Sequence, residues 1–385
     1  MNNQIDDSFR LLAAEQLRKQ ARQLFAQLKG IRQAEDIEYV HRARVATRRL
    51  RAGLRMFDGC FGAKRLKRWA KAIRRLTSDL GEARDKDVQV AFVRSVLDHR
   101  PKKAYLPGIV RVLVHLERQR EALQPAVLKA IKRLRKSRTL AGLMADTKRL
   151  AKQLRSRGVT VVSQTALSRV RQQILARLAD LRALEHTLAD RRNVAGHHAL
   201  RIAAKRLRYA VEISRPIYSS HIDAPLATLK QIQSLLGEIH DCDVWVANLE
   251  AYCQREQKRI RRRYGHAGPM DRLRVGIEYL RRDRQTQRDR CFEKLVRYWH
   301  ELTEQGFWHT LRHTVSMDPE RGAQVHGVEA SADKAPAPQP GGCEVGFPAL
   351  GHAGSDGDSR AGRAARSPQA SASTCGPVVG KREGT

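Results

Sequence analysis

The chain says nearly the same thing twice. His41-Arg42-Ala43-Arg44-Val45-Ala46-Thr47-Arg48-Arg49-Leu50-Arg51 returns as His198-Ala199-Leu200-Arg201-Ile202-Ala203-Ala204-Lys205-Arg206-Leu207-Arg208, from 41 to 198, an offset of 157. A second element follows each copy: Leu80-Gly81-Glu82-Ala83-Arg84-Asp85-Lys86-Asp87-Val88 returns as Leu236-Gly237-Glu238-Ile239-His240-Asp241-Cys242-Asp243-Val244, from 80 to 236, an offset of 156. Two elements in one order at nearly the same spacing mark a tandem duplication. The fold must therefore be built from two versions of one unit, expected over residues 8–156 and 162–312 of a helical domain spanning 8–312.

That unit is all-α. From Ser8 to Leu311 the chain is rich in Leu, Ala, Arg, Lys, Gln and Glu, with apolar residues at spacings of three and four. Helix ends are expected at Gly30, Gly59 and Gly62, Gly81, Pro101 with Pro107 and Gly108, Gly158, Gly196, Pro216, Pro225, Gly237 and Gly265. Residues 158–162 come nearest to a strand and read better as a connector between the halves. From 318 to 385 Gly, Ala, Ser and Pro dominate, a composition too poor in apolar surface to offset the entropy of ordering, so a disordered tail is expected. Six scattered cysteines without a CxxC pair suggest a reducing compartment, and no apolar run is long enough for a bilayer; a cytoplasmic, membrane-free protein follows as the expectation.

Wound at about 100° per residue, His41, Arg44, Arg48, Arg51 and Arg55 fall within an arc of roughly 80°, opposite Ala43, Ala46, Leu50, Leu54 and Phe57. In the second copy His198, Arg201, Lys205 and Arg208 take the same arc, opposite Leu200, Ala203, Leu207 and Val211. Glu212 stands in the register of Arg55, so the second stripe is one charge weaker, and Tyr209 lies beside it as a hydrogen-bond donor. Like charges at these spacings destabilise a helix by a few tenths of a kcal/mol per pair. Keeping them twice in register points to an anionic partner.

Lys and Arg number 74 against 40 Asp and Glu, a formal net charge of +34, which suits nucleic acid, anionic membrane, polyphosphate or an acidic protein alike. His41 and His198 head the two stripes, placed for phosphate contact, a structural hydrogen bond or a metal, though neither has a ligating partner at i, i+4. Asp85 with Asp87, and Asp241 with Asp243, read most simply as helix caps behind a glycine. They also suit a supporting role, one carboxylate of each pair accepting from an arginine of the basic helix. A metal role for them ranks last. Arg74 and Lys230 match at the 156 offset and extend the basic surface.

The stripe His41-x-x-Arg44-x-x-x-Arg48-Arg49-Leu50-Arg51, its second copy ending Lys205-Arg206-Leu207-Arg208-Tyr209, and the run Leu235 to Val244 resemble the CHAD family, the histidine-bearing α-helical domain. The resemblance implies two pseudo-symmetric four-helix bundles with a basic channel between them that binds inorganic polyphosphate, without cofactor or resident metal, and placement at polyphosphate granules with granule proteins as neighbours. By motif position it implies His41, Arg44, Arg48, Arg49, Arg51 and Arg74 in one half and His198, Arg201, Lys205, Arg206, Arg208 and Lys230 in the other as ligand contacts. Some relatives carry a triphosphate-tunnel enzyme domain; no Glu-x-Glu-x-Lys signature marks one here, and no catalytic residue can be assigned. A nucleic-acid binder is the main alternative, but aromatic residues are only 5% and the stripes hold no Asn or Gln placed to read adenine, so nucleic acid is expected only as a non-specific competitor. A polyphosphate-processing enzyme and a histidine-based metal chelator complete the field.

Overall fold

The two basic helices begin alike, each on a side-chain cap. Asp36 accepts from the Glu38 backbone N at 2.9 Å and starts α2 (Ile37–Met56); Asn193 accepts from the Gly196 N at 2.8 Å and starts α7 (Val194–Ile213). Each such cap is worth about 1 kcal/mol. Gly196, expected as a stop, is part of the second cap: a Cβ there would lie 2.6 Å from the Asn193 side chain.

The structure is a computed structural model that describes residues 5–33 and 36–317, and every regular element among them is helical. The first half holds α1 (Asp7–Gln33), α2, α3 (Ala63–Asp98), α4 (Leu106–Lys136) and α5 (Thr139–Arg155). The second holds α6 (Gln164–Arg182), α7, the single turn α8 (Arg215–Tyr218), α9 (Asp223–Tyr264), α10 (Gly268–Glu304) and α11 (Phe307–Ser316). Helices α2, α3 and α4 pack in sequence, with α1 on α2 and α5 on α1. The order returns in α7, α9 and α10, with α6 on α7 and α11 on α6. No described helix is long and apolar enough to cross a membrane. The tail expected over 318–385 lies outside the described residues.

One apolar core runs through both halves, from Phe9, Leu50 and Trp69 to Leu207, Ile232 and Trp299. A second, smaller core forms where the far ends of the two long hairpins interlock: Phe92, Val93, Ile109 and Val112 from α3 and α4 meet Trp245, Leu249, Tyr252 and Ile277 from α9 and α10. Burial of this kind contributes about 25 cal/mol per Å² of apolar surface, and here it ties one repeat to the other. The hairpins approach most closely at Gly108 and Gly276, where the backbones of α4 and α10 touch and Tyr105 stacks on Tyr279 at 4.6 Å between ring centroids.

Two expected breaks are not breaks: Gly81 and Gly237 lie deep inside α3 and α9, whereas Gly30 is in the last turn of α1, Gly108, Gly196 and Pro225 are in the first turns of α4, α7 and α9, and Gly59 with Gly62, Pro101, Gly158 and Gly265 fall between helices. A single glycine costs a helix only about 1 kcal/mol. Packing along α3, 36 residues long, and α9, 42 residues long, outweighs it.

Candidate polyanion-binding site

Helices α2 and α7 bury the faces expected of them: Ala43, Ala46, Leu50, Leu54 and Phe57 on one, Leu200, Ala203, Leu207 and Val211 on the other, are all core residues. With those faces inward, the charged arcs meet in a seam between the helices. Lys205 sits among Arg44, Arg48 and Arg51 of the other half and Arg201 of its own, and burial, followed by these four charges, pushes its ammonium group down to about 8. Arg201 in turn faces Arg44 and Arg48 across the seam, with Asp241 and Asp85 close by. His41 lies near Arg84, Arg48 and Arg44, its pKa lowered first by burial and then by Arg84. His198 Nδ1 approaches His240 Nδ1 at 3.2 Å. Burial, then Arg201 and His198, hold His240 at about 4, so it is neutral at pH 7.

The acidic pairs stand at the rim of this seam in mid-helix, which corrects the capping account: α3 and α9 run through Asp85, Asp87, Asp241 and Asp243, whose own backbone N–H groups are satisfied inside the helix. The first member of each pair faces the cations. Arg44 Nη2 donates to Asp85 Oδ1 at 3.1 Å, and Asp241 is the nearest acid to Arg201 in its electrostatic influence. The second member ties the hairpin together. Arg120 Nε of α4 donates to buried Asp87 at 2.5 Å, and Arg288 Nε of α10, itself buried, donates to Asp243 at 2.8 Å while its Nη2 lies 3.4 Å from His197 Nδ1. Arg120, Arg288 and His197 escaped the sequence reading because single residues on distant helices carry no periodic signal.

Gly81 explains how Arg44 reaches Asp85. A Cβ at Gly81 would lie 2.9 Å from Arg44 Nη1, so the guanidinium rests on bare backbone. Gly81→Ala should keep the fold, since the neighbour is the mobile end of a side chain and alanine favours the helix by about 1 kcal/mol. It should also push Arg44 off its seat and weaken anion binding several-fold. A stability rise with unchanged affinity, from denaturation and titration side by side, would show that Arg44 has no part in binding.

The remaining residues implied by the resemblance are spread more widely. Arg48 and Arg51 are half-buried in the seam, and the Arg48 Nε and Arg49 Nε donors, like the Tyr209 hydroxyl, are buried without a partner. Arg49 Nη2 pairs with Glu212 Oε1 at 2.6 Å. Buried Arg208 gives Nε to Gln233 and Nη1 to Glu212, both at 2.6 Å, and covers the Tyr209 ring at 4.1 Å. Arg206 is exposed near Arg55. Arg74 and Lys230 are exposed on α3 and α9; Lys230 lines a cavity of about 550 Å³ with Arg49 and Glu212. Among the described residues no three His, Cys, Asp or Glu side chains are grouped to hold a metal ion.

A family model described as the CHAD domain matches residues 15–250. Among solved structures, the chain is similar to the crystal structure of the CHAD domain from the plant Ricinus communis, with 22% identity and a TM-score of 0.56 over 76% of this chain and 91% of that one, a likeness of fold. It is also similar to PptA from Streptomyces chartreusis, with 17% identity and a TM-score of 0.49 over 75% of this chain and 98% of that one. No curated protein matches it. Matched over more than half its length, in the stretch that carries both basic helices, this chain belongs to the CHAD domain family.

Proposed function

We propose that this protein binds inorganic polyphosphate along the seam between α2 and α7, without chemistry of its own, and that binding places it at polyphosphate granules in the cytoplasm. One observation carries the reading: α2 and α7 pack against each other with their basic faces adjoining, so that Lys205 of one half lies within electrostatic reach of Arg44, Arg48 and Arg51 of the other. Two cations about 8 Å apart repel by about 2 kcal/mol at an effective dielectric of 20. Several such pairs, held together by two helices with their core faces locked inward, form a site prepared for closely spaced negative charge. Guanidinium groups meet phosphoryl oxygens as a two-pronged fork and the lysine acts as a point charge. Arg48 Nε, without a partner, adds a donor that lacks an acceptor. Membership of a family associated with polyphosphate-related proteins supports the choice of ligand. Stacking, which single-stranded nucleic acid uses, has little to work with: Tyr209, the ring beside these cations on α7, is buried beneath Arg208.

The test is calorimetric titration with long-chain polyphosphate at about pH 8.5, in buffers of different ionisation heat. Lys205 is partly deprotonated there in the free protein, and a polyanion favours its charged form, so binding should take up protons, and Lys205→Arg should remove that uptake. The same linkage gives the free protein a signature. Between about 8 and the usual lysine value the unfolded chain holds a proton that folded Lys205 has released, so this group's contribution to stability rises with pH through that window. Affinity should fall steeply with salt as counterions are released. Displacement of polyphosphate by duplex DNA or RNA at equal phosphate concentration would overturn the reading, and release of phosphate with Mg²⁺ or Mn²⁺ present would replace it with an enzymatic one.

A further inference from the structure

On the charged faces of the two basic helices the repeats disagree in the sign of charge at one position, in the last turn of each helix. At the 157 offset Arg55 corresponds to Glu212, Arg51 to Arg208 and Arg49 to Arg206. Around Glu212 the carboxylate is held from both sides: Oε1 accepts from Arg49 Nη2 across the seam and Oε2 accepts from Arg208 Nη1 on its own helix, each at 2.6 Å. Around Arg55 stand the register partners of those two arginines, Arg206 across the seam and Arg51 on its own helix, with Arg177 of α6 added. The same constellation is therefore present twice, once around an acid and once around a base. Where the acid stands, two arginines from different halves clamp one anionic group. Where the base stands, the cations have only each other.

We propose that Glu212 is a built-in counter-anion that occupies Arg49 and Arg208 as a phosphoryl group would, so that a bound polyphosphate chain is anchored instead in the matching cluster of Arg51, Arg55, Arg206 and Arg177. This rests on the polyphosphate reading above and makes the two halves of the seam unequal. An intramolecular carboxylate competes at high effective concentration, and Arg208 is further fixed by Gln233. The phosphate chain therefore meets a neutralised cluster at Glu212, where Arg49 and Glu212 line the 550 Å³ cavity. Where the seam is all cation, nothing competes with the ligand. Glu212 thus sets how many arginines the chain can engage.

Glu212→Gln tests this directly. With the carboxylate gone, Arg49 and Arg208 become available, and the variant should bind long-chain polyphosphate about tenfold more tightly at moderate salt. The slope of log affinity against log salt should steepen by about 0.7 for each added phosphate interaction. In the double variant Glu212→Gln with Arg49→Gln, most of the gain should vanish. Arg55→Glu should install the same counter-anion among Arg51, Arg206 and Arg177 and weaken binding at least tenfold. A folded Glu212→Gln protein whose affinity and salt slope match the parent overturns the proposal. Should that variant melt, Arg55→Glu decides alone, and parental affinity in it overturns the proposal. A parent that fails to bind polyphosphate at all instead refutes the underlying reading, so the two failures are distinguishable.

Discussion

Replacing Arg48 and Lys205 together by glutamate is expected to reduce polyphosphate affinity by at least a hundredfold without lowering the melting temperature. The two residues belong to different halves and meet in the seam. Each charge-assisted hydrogen bond to the ligand is worth about 1.5–3 kcal/mol, and every 1.4 kcal/mol is a factor of ten. Removing two of them already accounts for a hundredfold before the new negative charges repel the ligand. Stability moves the other way. Lys205 lies among four arginines, and turning two like charges into acids converts repulsion to attraction in a half-buried setting. A site kept for function at the expense of stability is recognised by this opposition of signs. Calorimetry at moderate salt and thermal denaturation of the free proteins supply the two halves of the measurement. A variant with parental affinity would remove the seam from the function; a variant that neither binds nor folds would mean that these cations hold the protein together.

How much of this was legible in the sequence depends on the range of the signal. The inward faces of α2 and α7 were readable from local periodicity, because residues three and four apart on a helix either are or are not apolar, and each named core residue is buried. The all-helical class and the family followed from the same kind of information, repeated at a fixed offset. Helix ends were less legible. Gly81 and Gly237 have the chemistry of a stop, yet α3 and α9 pass through them, since glycine permits a break without imposing one. For Gly81 the reason lies in Arg44 on another helix, whose guanidinium occupies the space a side chain would take.

The pairing of the acids was beyond local reading for a similar cause. Asp87 and Asp243 are identical in register, and their arginines, Arg120 and Arg288, come from α4 and α10. Only the packing of the hairpins decides that these meet. Glu212 is the reverse case: the sequence showed an acid in place of Arg55 and a stripe weaker by one charge, but not that the acid is gripped by an arginine from each repeat. A substitution that looked like a loss of charge is, in three dimensions, a tie across the seam.

The hairpin crossing leads to the second large effect, Gly276→Ala, which is expected to cost about 2–3 kcal/mol, while Gly237→Ala stabilises by about 0.5–1 kcal/mol. Both glycines lie inside helices, so helix propensity favours alanine by about the same amount at each, and the surroundings decide the sign. A Cβ at Gly237 would meet nothing within 4 Å. At Gly276 it would fall 2.1 Å from the Tyr105 carbonyl oxygen and 2.9 Å from Gly108 Cα, both backbone atoms that cannot rotate aside. Forcing α4 and α10 apart also loosens the core made by Phe92, Ile109, Trp245 and Ile277, and overpacking of this kind costs about 1–3 kcal/mol or more. Because that core joins the repeats, the same substitution should loosen the spacing of α2 against α7 and reduce affinity for long chains more than for tripolyphosphate, which spans fewer of the cations. Urea denaturation and titration with both ligands test each step. A Gly276→Ala protein as stable as the parent would mean that the interlocked hairpins are not packed as closely as their backbones imply.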